Sequence, residues 1–354
     1  MENSKVLMVG QFPPLITGEG MANEAVFRIL TEAGVAVKVV DSCIINTVSD
    51  VGELSINKIF SATLVIVKSI FYLFKADLVY MTPGQTYFGI LRFLPIIFMA
   101  LLLRKKVYLH WHGYGIQSLV NKHSYLKRLL FRASIKHFLL TSDLKGKLKR
   151  AGCIMDQASV ISNYFSASKL TGSASRVNGN KLNVLYLGGL MEEKGILEFI
   201  KAAEISSDFN FIVCGKGGGG IMDKLKMADK KGTLSFRGMT LGKDKDKVFL
   251  ESGIFVLQTH HPTEGVPLTI IEAMAAGCAV ITTQHNGIPE TVGEAALYVD
   301  KRSSYSLLMA LNSLKDDRKK LAELQEASLV QSSLYTFDKF KVNVLKGLSL
   351  GSLE

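Results

Sequence analysis

Cysteine is scarce in this sequence, and the four cysteines that it has are scattered. Their positions, Cys43, Cys153, Cys214 and Cys278, show no paired spacing. A disulfide framework or a cysteine-based zinc site needs such pairs, so the sequence argues against both. Unpaired cysteines of this kind are typical of a reducing compartment, and we expect a cytoplasmic protein.

Long uninterrupted apolar runs are also missing. The amino-terminal MENSKVLMVG has no basic start and no long apolar region, so no secretory signal is predicted. Residues 59–74 are interrupted by Lys68, and residues 86–103 by Arg92 and Pro95. Both fall short of the roughly 20 continuous apolar residues of a spanning helix, which favours core or interfacial helices over insertion.

Acidic residues are few in the first half. Residues 1–170 hold 20 Lys and Arg against 10 Asp and Glu, and subtraction from the totals of 42 and 31 leaves 22 against 21 for 171–354. The balances, +10 and +1, indicate an anionic partner for the first half: membrane lipid, a phosphorylated substrate or nucleic acid. No nucleic-acid partner is expected, because aromatic residues are not interleaved with the basic ones as in stacking platforms. An apolar content of 48% excludes intrinsic disorder.

What the 354 residues do contain is an alternation of short apolar runs with longer helical patterns. Strands are predicted at 5–9, 35–41, 77–81, 106–111, 137–141 and 158–161, and again at 182–187, 210–214, 234–236, 254–257, 279–282 and 296–299. Long helices are predicted at 86–103, 124–134 and 303–327, among others. This alternation predicts an α/β protein with two doubly wound, Rossmann-like domains, whose ligands bind at the carboxyl ends of parallel strands.

The boundaries follow from the same pattern. We expect an N-terminal domain over 1–165, a linker rich in Ser and Gly over 166–181, and a C-terminal domain over 182–331. A terminal helical segment over 332–354 is expected to pack back on the first domain.

The most informative stretch is THHPTEGVPLTIIEAMAAGCAVITTQHNGIPETV, residues 259–292. Gly265 and Pro267 lie before a predicted helix, whose first N–H groups and dipole can hold an anion. Glu264 stands in the loop before the helix, and Glu272 a little over one turn inside it. The pattern predicts a phosphate site flanked by two carboxylates.

This stretch resembles the donor-site signature of the retaining, metal-independent glycosyltransferases of family 4, which have the GT-B fold. The match comprises EG-x-P-L-x-x-x-EAMA-x-G-x-x-V-I followed by GIPE. The resemblance implies two domains that face each other across a cleft. It also implies that Glu264 orients the donor sugar, that Glu272 binds the ribose, and that the backbone of Gly265, Val266, Pro267 and Leu268 holds the diphosphate.

Other segments match the family in the expected order. In YLGGLMEEKG, Lys194 is implied to bind the diphosphate, whereas Gly189 replaces the basic residue that many members carry. FIVCGKGG places Gly215 and Lys216 near the nucleotide, and LSFRGMT places Met239 in the loop around the base.

Two matches lie in the N-terminal half. In GQFPPLITGEGMANE, Gly18 is implied to approach the diphosphate, although Glu19 separates it from Gly20 where many members have adjacent glycines. In YLHWHG, His112 is implied to lie near the reactive face of the sugar, and His110 shares its side of the strand. The catalytic residues implied are therefore His112, Lys194 and Glu264.

The resemblance implies sugar transfer from a nucleotide-diphosphate donor, with UDP-sugars slightly favoured, to a hydroxyl of a glycan or lipid-linked acceptor. No cofactor or metal ion is expected, and Asp244-Lys245-Asp246 is interpreted as solvated surface. Bacterial surface-polysaccharide or lipopolysaccharide biosynthesis is the expected setting. The alternatives are a non-catalytic nucleotide-sugar-binding protein and, less favoured, a dehydrogenase, which would need a G-x-G-x-x-G after a strand.

A basic stretch, residues 123–150, mixes cations with leucines and phenylalanines. Such a mixture favours contact with an anionic membrane surface. We therefore expect a peripheral protein on the inner face of the cell membrane, with a solvated helical face as the alternative interpretation.

Overall fold

The computed structural model describes residues 4–13, 17–43, 56–165, 177–178 and 181–350. The chain divides into two compact units, Met1–Asn163 with Asp338–Glu354, and Tyr164–Phe337. The predicted linker, 166–181, falls almost wholly outside the described residues.

Unit 1 is built on a sheet that has, in the described residues, six parallel strands. Its strands are β1 (Lys5–Gly10), β2 (Ala36–Asp41), β3 (Leu78–Met81), β4 (Lys106–Trp111), β5 (Ile135–Leu139) and β6 (Ala158–Val160). Its helices are α1 (Gly18–Glu32), α2 (Ile56–Leu73), α3 (Tyr87–Leu91), α4 (Leu94–Leu102), α5 (Gly115–Lys122), α6 (Ser124–Leu130) and α7 (Ser142–Arg150). The strand order is β2-β1-β3-β4-β5-β6.

Unit 2 repeats this architecture with different strand lengths. Its strands are β7 (Val177–Asn178), β8 (Lys181–Leu190), β9 (Phe209–Gly217), β10 (Ser235–Phe236), β11 (Ile254–Leu257), β12 (Ala279–Thr282) and β13 (Ala296–Tyr298). Its helices are α8 (Ile196–Ile205), α9 (Gly219–Lys230), α10 (Gly242–Glu251), α11 (Leu268–Ala275), α12 (Ile288–Val292), α13 (Ser304–Asp316) and α14 (Arg318–Ser332). The order β10-β9-β8-β11-β12-β13 is parallel throughout, and β7 pairs with β8 in antiparallel fashion.

The central strands are apolar on both faces because helices cover both sides of each sheet. Every residue of β3, β11 and β12 is buried. The predicted α/β class with two doubly wound sheets is confirmed. In unit 2, β8, β11 and β12 are neighbours, so the loops that follow their carboxyl ends lie side by side.

Three helix predictions were wrong in extent. The helix predicted over 86–103 is two helices, α3 and α4, and Pro95 lies at the first turn of α4. Proline has no N–H to donate and clashes with the preceding turn, so it starts a helix here instead of continuing one. The helix predicted over 124–134 ends at Leu130, and α5 was not predicted.

The helix predicted over 303–327 is also two helices. Asp317 separates α13 from α14, and its carboxylate accepts a hydrogen bond of 2.9 Å from the backbone N–H of Lys320. An aspartate that caps a new helix favours a break at that position, because its side chain competes with continuation of the preceding turn.

The last helix, α15 (Phe337–Gly347), belongs mainly to unit 1. Its Lys341 ammonium lies 3.0 Å from the carboxylate of Glu32. After the helix, the backbone carbonyl of Leu348 accepts a 3.1 Å hydrogen bond from the hydroxyl of Tyr108 on β4.

Candidate functional site

Lys194 is placed by a sharp turn after β8. Glu192–Lys194 form one turn of 3-10 helix, and Gly195 follows with φ +84°, in the left-handed region that favours glycine. A Cβ on Gly195 would lie 2.6 Å from the carbonyl oxygen of Gln258, at the end of β11. The Lys-Gly pair therefore reflects a close approach of backbone at this turn, and that approach fixes the start of α8.

Lys194 and Glu264, which the sequence assigned to the donor, contact each other. The Lys194 Nζ lies 3.1 Å from Glu264 Oε2, and the two side chains are 25% and 11% exposed. The Thr259 hydroxyl lies 3.3 Å from the same carboxylate oxygen. A largely buried carboxylate needs such partners, because burial penalises an isolated charge.

Glu264 is followed directly by the amino-terminus of α11. Gly265, Val266 and Pro267 are buried, and Leu268 is the first residue of the helix. No side chain caps this terminus in the described residues, and the first N–H groups of a helix have no partner within it. These groups and the helix dipole can bind an anion beside the Lys194–Glu264 pair.

Glu272 has a partner that the sequence interpretation missed. Its Oε1 lies 2.5 Å from the Nζ of Lys245 on α10. Burial raises the pKa of the Glu272 carboxyl, and the charge of Lys245 opposes this shift. The interpretation of 244–246 as solvated surface was wrong for Lys245, whose side chain is only 27% exposed. One lysine within a lysine-rich polar run gives no sequence signal for this contact.

The loop after β12 supports the loop that carries Glu264. Asn286 has φ +48°, and its side-chain amide donates to the carbonyl oxygens of Pro262, at 3.2 Å, and Glu264, at 3.0 Å. The His285 Nε2 donates to the carbonyl oxygen of His261 at 2.8 Å, and its Nδ1 lies 3.0 Å from the Lys301 ammonium. The sequence analysis included the GIPE part of this loop in the family match but gave Asn286 no role.

The remaining donor candidates of unit 2 are Gly215 and Lys216, in the last residues of β9, and Met239, which follows β10. The register pairs Gly188 with Gly215, and a Cβ on Gly215 would overlap the carbonyl oxygen of Gly188, so glycine is needed for this approach. The Gly215 N–H donates to the carbonyl oxygen of Gly238 at 2.8 Å, which brings the segment of Met239 beside the end of this strand. Lys216 and Met239 are exposed, and Met239 retains 56% of its surface.

In unit 1, His112 follows the end of β4 and packs against His110, with the two ring planes tilted by 36°. The ring centroids lie 4.1 Å apart, and the Tyr80 hydroxyl lies 2.7 Å from the Nδ1 of His110. Both nitrogens of His112 are buried without a hydrogen-bond partner in the described part of the chain. Burial lowers the pKa of His112 to about 4, so its imidazole is neutral near pH 7.

Gln85 clamps the loop of His112 from both directions. Its amide nitrogen donates to the carbonyl oxygen of His112 at 3.0 Å, and its amide oxygen accepts from the N–H of Gly115 at 3.1 Å. Gln85 therefore fixes the backbone around His112, a role that no sequence motif indicated.

Gly18 is the first residue of α1, directly after Thr17, whose hydroxyl accepts a hydrogen bond from the Gly20 N–H. Gly18 is exposed, whereas Glu19 turns inward. Burial raises the pKa of Glu19, opposed by a hydrogen bond from Thr82 and by the charge of Arg92. Glu19 thus belongs to a polar cluster at the carboxyl end of the unit 1 sheet.

Among the residues that the structure describes, no three His, Cys, Asp or Glu side chains are grouped as a metal site requires. A cavity of about 950 Å³ lies at the amino ends of β8 and β9, lined by Lys181, Asn183 and Phe209 among others. It contains none of the candidate residues.

The comparison with protein families matches the half of the chain that contains the Lys194–Glu264 pair. Residues 172–329 match the family described as Glycosyl transferases group 1. The matched residues are thus similar to group 1 glycosyltransferases, and they include β8 to β13 and every donor candidate except Gly18.

Curated relatives of this chain are named for the biosynthesis of colanic acid and of amylovoran. A protein of Salmonella typhimurium named as a colanic acid biosynthesis glycosyltransferase, WcaL, is 23% identical over 59% of this chain and 55% of its own length. The amylovoran biosynthesis glycosyltransferase AmsK of Erwinia amylovora is 28% identical over 41% of this chain and 38% of its own. The chain thus spans about half the length of the curated relatives that it matches.

Solved structures extend the likeness to the whole fold. HepE of Anabaena, solved with UDP and glucose, is 16% identical with a TM-score of 0.72, over 98% of this chain and 100% of that one. At this identity the likeness establishes the fold alone. The chain has the α/β GT-B fold, as the sequence motifs predicted.

Proposed function

We propose that this chain is a retaining, metal-independent glycosyltransferase. It transfers a sugar from a nucleotide-diphosphate donor to a hydroxyl of a glycan or lipid-linked acceptor. The observation that carries this proposal is the contact between Lys194 and Glu264 beside the uncapped amino-terminus of α11. A cation, helix N–H groups and a carboxylate are thereby grouped at one edge of the sheet.

This group of residues suits a reaction in which the main barrier is the charge that develops in the transition state. When the bond between the anomeric carbon and the diphosphate oxygen breaks, negative charge grows on the diphosphate and positive charge on the sugar ring. Lys194 and the first N–H groups of α11 stabilise the leaving diphosphate. The acceptor oxygen forms the new bond on the same face, and its proton goes to the departing phosphate oxygen.

The two glutamates then have separate tasks. Glu264, partly buried beside Lys194, orients the transferred sugar, and Lys194 exchanges part of its contact with Glu264 for the diphosphate. Glu272, held by Lys245, accepts hydrogen bonds from the ribose hydroxyls. The proposal assigns Gly18 to the diphosphate and His112, a neutral imidazole with unpartnered nitrogens, to the sugar.

The setting proposed is surface-polysaccharide biosynthesis, with the protein in the cytoplasm and peripheral on the inner face of the cell membrane. WcaL and AmsK are named for the biosynthesis of colanic acid and amylovoran. HepE was solved with UDP and glucose, so UDP-sugars are the first donors to test.

The test is a donor screen followed by product analysis. Nucleotide sugars are screened by thermal shift, because a ligand of the folded state raises apparent stability. The donor that binds is then incubated with candidate acceptors, and NMR of fresh product should show the donor's anomeric configuration retained. Activity should survive excess EDTA. An inverted product, or an absolute need for magnesium or manganese, would refute the proposed mechanism.

A Lys194→Ala variant supplies the matching negative control. Removal of one preorganised charge at a developing oxyanion typically lowers turnover by about 100-fold or more. We expect a loss of this size for Lys194→Ala, and near-normal activity for Lys243→Ala, whose side chain is exposed on α10. If Lys194→Ala is fully active, another cation such as Lys216 or Arg237 holds the diphosphate.

The second candidate function is nucleotide-sugar binding without transfer. Its support is Gly189, which leaves Lys194 without the neighbouring cation of many family members. Donor binding without turnover against any acceptor tested would favour this alternative.

A further inference from the structure

Helix α2 exposes a stripe of large apolar side chains. Phe60, Leu64, Val67, Phe71 and Phe74 recur at intervals of four and three residues and are 70%, 44%, 58%, 60% and 63% exposed. This spacing places them on one side of the helix, Phe74 lying just after its end. A helix that faces water normally carries polar residues there.

The same helix buries its other side. Ser69 and Leu73 are fully buried, and Val65, Ile66 and Tyr72 pack against the core of unit 1. The exposed stripe is therefore not the side of α2 that packs on the core, because the opposite side already does so. It is a second apolar side, and it needs its own explanation.

The neighbouring helix shows the same feature. Helix α4 packs against α2, buries Ile96, Ile97 and Ala100, and exposes Phe98 and Leu102 to 68% and 64%. We call the five α2 residues together with Phe98 and Leu102 the α2–α4 apolar face. Exposed apolar groups of this extent mark interaction surfaces.

Charge decides which partner suits this face. Residues 56–106 contain seven basic residues and one acid, Asp77, and Asp77 already accepts a 2.8 Å hydrogen bond from the backbone N–H of Lys5. Lys68, Lys75 and Arg104 are exposed, and the Lys75 Nζ lies 5.7 Å from the centre of the Phe71 ring. A second copy of this face would bring like charges together, whereas an anionic surface complements it.

We infer that the α2–α4 apolar face binds the surface of an anionic lipid bilayer. The phenylalanines enter the boundary between headgroups and acyl chains, and the surrounding lysines and arginines contact lipid phosphates. Among the described residues, no helix is both long and apolar enough to cross a membrane, and this contact requires none to do so. The inference deepens the proposed function, since a lipid-linked acceptor would be met at such a surface.

The face differs from the surface that the sequence suggested. In residues 123–150 the cations are present, but Leu126, Leu130, Leu144 and Leu148 are fully buried in the core. That stretch therefore offers charge with few apolar side chains to insert. Its cations can add electrostatic attraction, while α2 and α4 supply the apolar contact.

Sedimentation with vesicles tests the inference. The full chain is mixed with vesicles of phosphatidylglycerol and phosphatidylcholine, and with vesicles of phosphatidylcholine alone. We expect binding to the anionic vesicles that weakens in high salt, because salt screens exposed charges. A triple variant, Phe60→Gln, Val67→Gln and Phe71→Gln, should bind at least about ten-fold more weakly, equivalent to about 1.4 kcal/mol.

A matched control uses exposed apolar residues of unit 2. Tyr305→Gln, Val330→Gln and Leu334→Gln remove side chains that are 73%, 67% and 54% exposed, and should leave vesicle binding unchanged. Charge reversal at Lys127, Arg128 and Arg132 is expected to weaken binding less than the Phe60, Val67 and Phe71 changes. If the charge reversal abolishes vesicle binding and the triple variant does not, the basic stretch makes the membrane contact and the inference is wrong.

Fluorescence locates the inserted residue. The chain has one tryptophan, Trp111, which is buried. A Phe71→Trp variant should shift its emission to the blue on anionic vesicles and be quenched by lipids brominated on their acyl chains, whereas Tyr305→Trp should not. Absence of a shift, unaltered binding of the triple variant, or no binding of the unchanged chain at low salt refutes the inference.

The inference and the proposed function fail separately. Donor binding by thermal shift and transfer to a soluble acceptor need no vesicles. If the protein transfers sugar but does not bind vesicles, only the membrane inference is refuted. If it binds vesicles but shows no turnover, only the proposed activity is refuted. If sedimentation equilibrium shows a dimer that the triple variant converts to a monomer, the occupant is a second copy and the membrane assignment is wrong.

Discussion

Glu264 and Glu272 lie eight positions apart, and each contacts a different lysine. Lys194 comes from the turn after β8, and Lys245 from α10. The two carboxylates are therefore held independently, and substitutions at one should not disturb the other. This separation allows their roles to be distinguished by kinetics.

We expect Glu272→Ala to weaken donor binding and Glu264→Ala to lower turnover. Hydrogen bonds to a charged group contribute roughly 1.5–3 kcal/mol, so donor affinity should fall about 10- to 100-fold in Glu272→Ala. Glu264→Ala should lose kcat while donor affinity changes less. The measurements are donor Kd by calorimetry and kcat from initial rates. Equal loss of affinity in both variants, with turnover intact, would contradict the assignment.

Gly189 leaves space for the basic residue that many members of the family that this sequence resembles carry at this position. A Cβ at this position would have its nearest contacts at 3.8 Å, to Met191 Sδ, and 3.9 Å, to Lys194 Cδ. Gly189→Arg should therefore fit and add a second charge beside the diphosphate. We expect donor affinity to rise by about ten-fold, within the range of one charged hydrogen bond, without loss of thermal stability. Unchanged donor Kd in a folded Gly189→Arg variant would show that position 189 does not face the diphosphate.

At the scale of elements, the site depends on how two loops are joined. The loop after β11 carries Glu264, and Asn286 in the loop after β12 donates hydrogen bonds to two of its carbonyl oxygens. These loops are adjacent because β11 and β12 are neighbours in the sheet. Under the proposed function, Asn286 acts through Glu264 and is a positioning residue.

Substitution at Asn286 should separate backbone strain from loop positioning. Asn286→Ala puts alanine at φ +48°. Alanine has no side-chain hydrogen bond to offset the strain of this left-handed conformation, which costs about 1 kcal/mol. Asn286→Gly removes the same hydrogen bonds without that strain. We expect kcat to fall about ten-fold in both variants, and Tm to fall more in the alanine variant. Full activity in the glycine variant would show that Asn286 does not position Glu264.

At the scale of the whole molecule, unit 1 carries a pH-dependent term in its stability. Burial lowers the pKa of His112 to about 4 and that of His137 to about 3. A histidine at its usual pKa, about 6.5 in the unfolded chain, binds protons that the folded state excludes. Stability is therefore complete above about pH 6.5 and decreases as the pH falls toward the folded pKa values.

The expected size follows from these pKa values. Between about pH 7.5 and pH 5, each of the two histidines should remove about 2 kcal/mol from the free energy of unfolding. Urea unfolding at the two pH values measures the total change, to which His110 also contributes because burial lowers its pKa, and His112→Asn should remove about 2 kcal/mol of that total. If the variant keeps the full pH dependence, His112 is already protonated in the folded protein or titrates as it does in the unfolded chain.

The extent of successful prediction differs between fold and site. The alternation of apolar runs was sufficient for both sheets, because buried parallel strands must be apolar on both faces. The helix boundaries at Pro95 and Asp317 were missed, because the apolar residues on both sides of each boundary continue at helical spacing and a single helix-breaking residue does not interrupt that pattern. Lys245, Asn286 and Gln85 carry no motif, and their roles depend on contacts across 27, 22 and 27 positions, respectively.

The sequence by itself determined the α/β class with two doubly wound sheets, because the periodicity of apolar residues is a local property of the chain, and the Glu-Gly-Val-Pro-Leu pattern indicated the GT-B fold through its resemblance to a known family. Tertiary structure decided which lysine faces which glutamate, and which of two basic, apolar segments keeps its apolar side chains exposed. Leucines at 126, 130, 144 and 148 and phenylalanines at 60 and 71 are equally apolar in the sequence. Only packing against the sheet buries the first group and leaves the second in contact with water, because burial depends on neighbours that are distant along the chain.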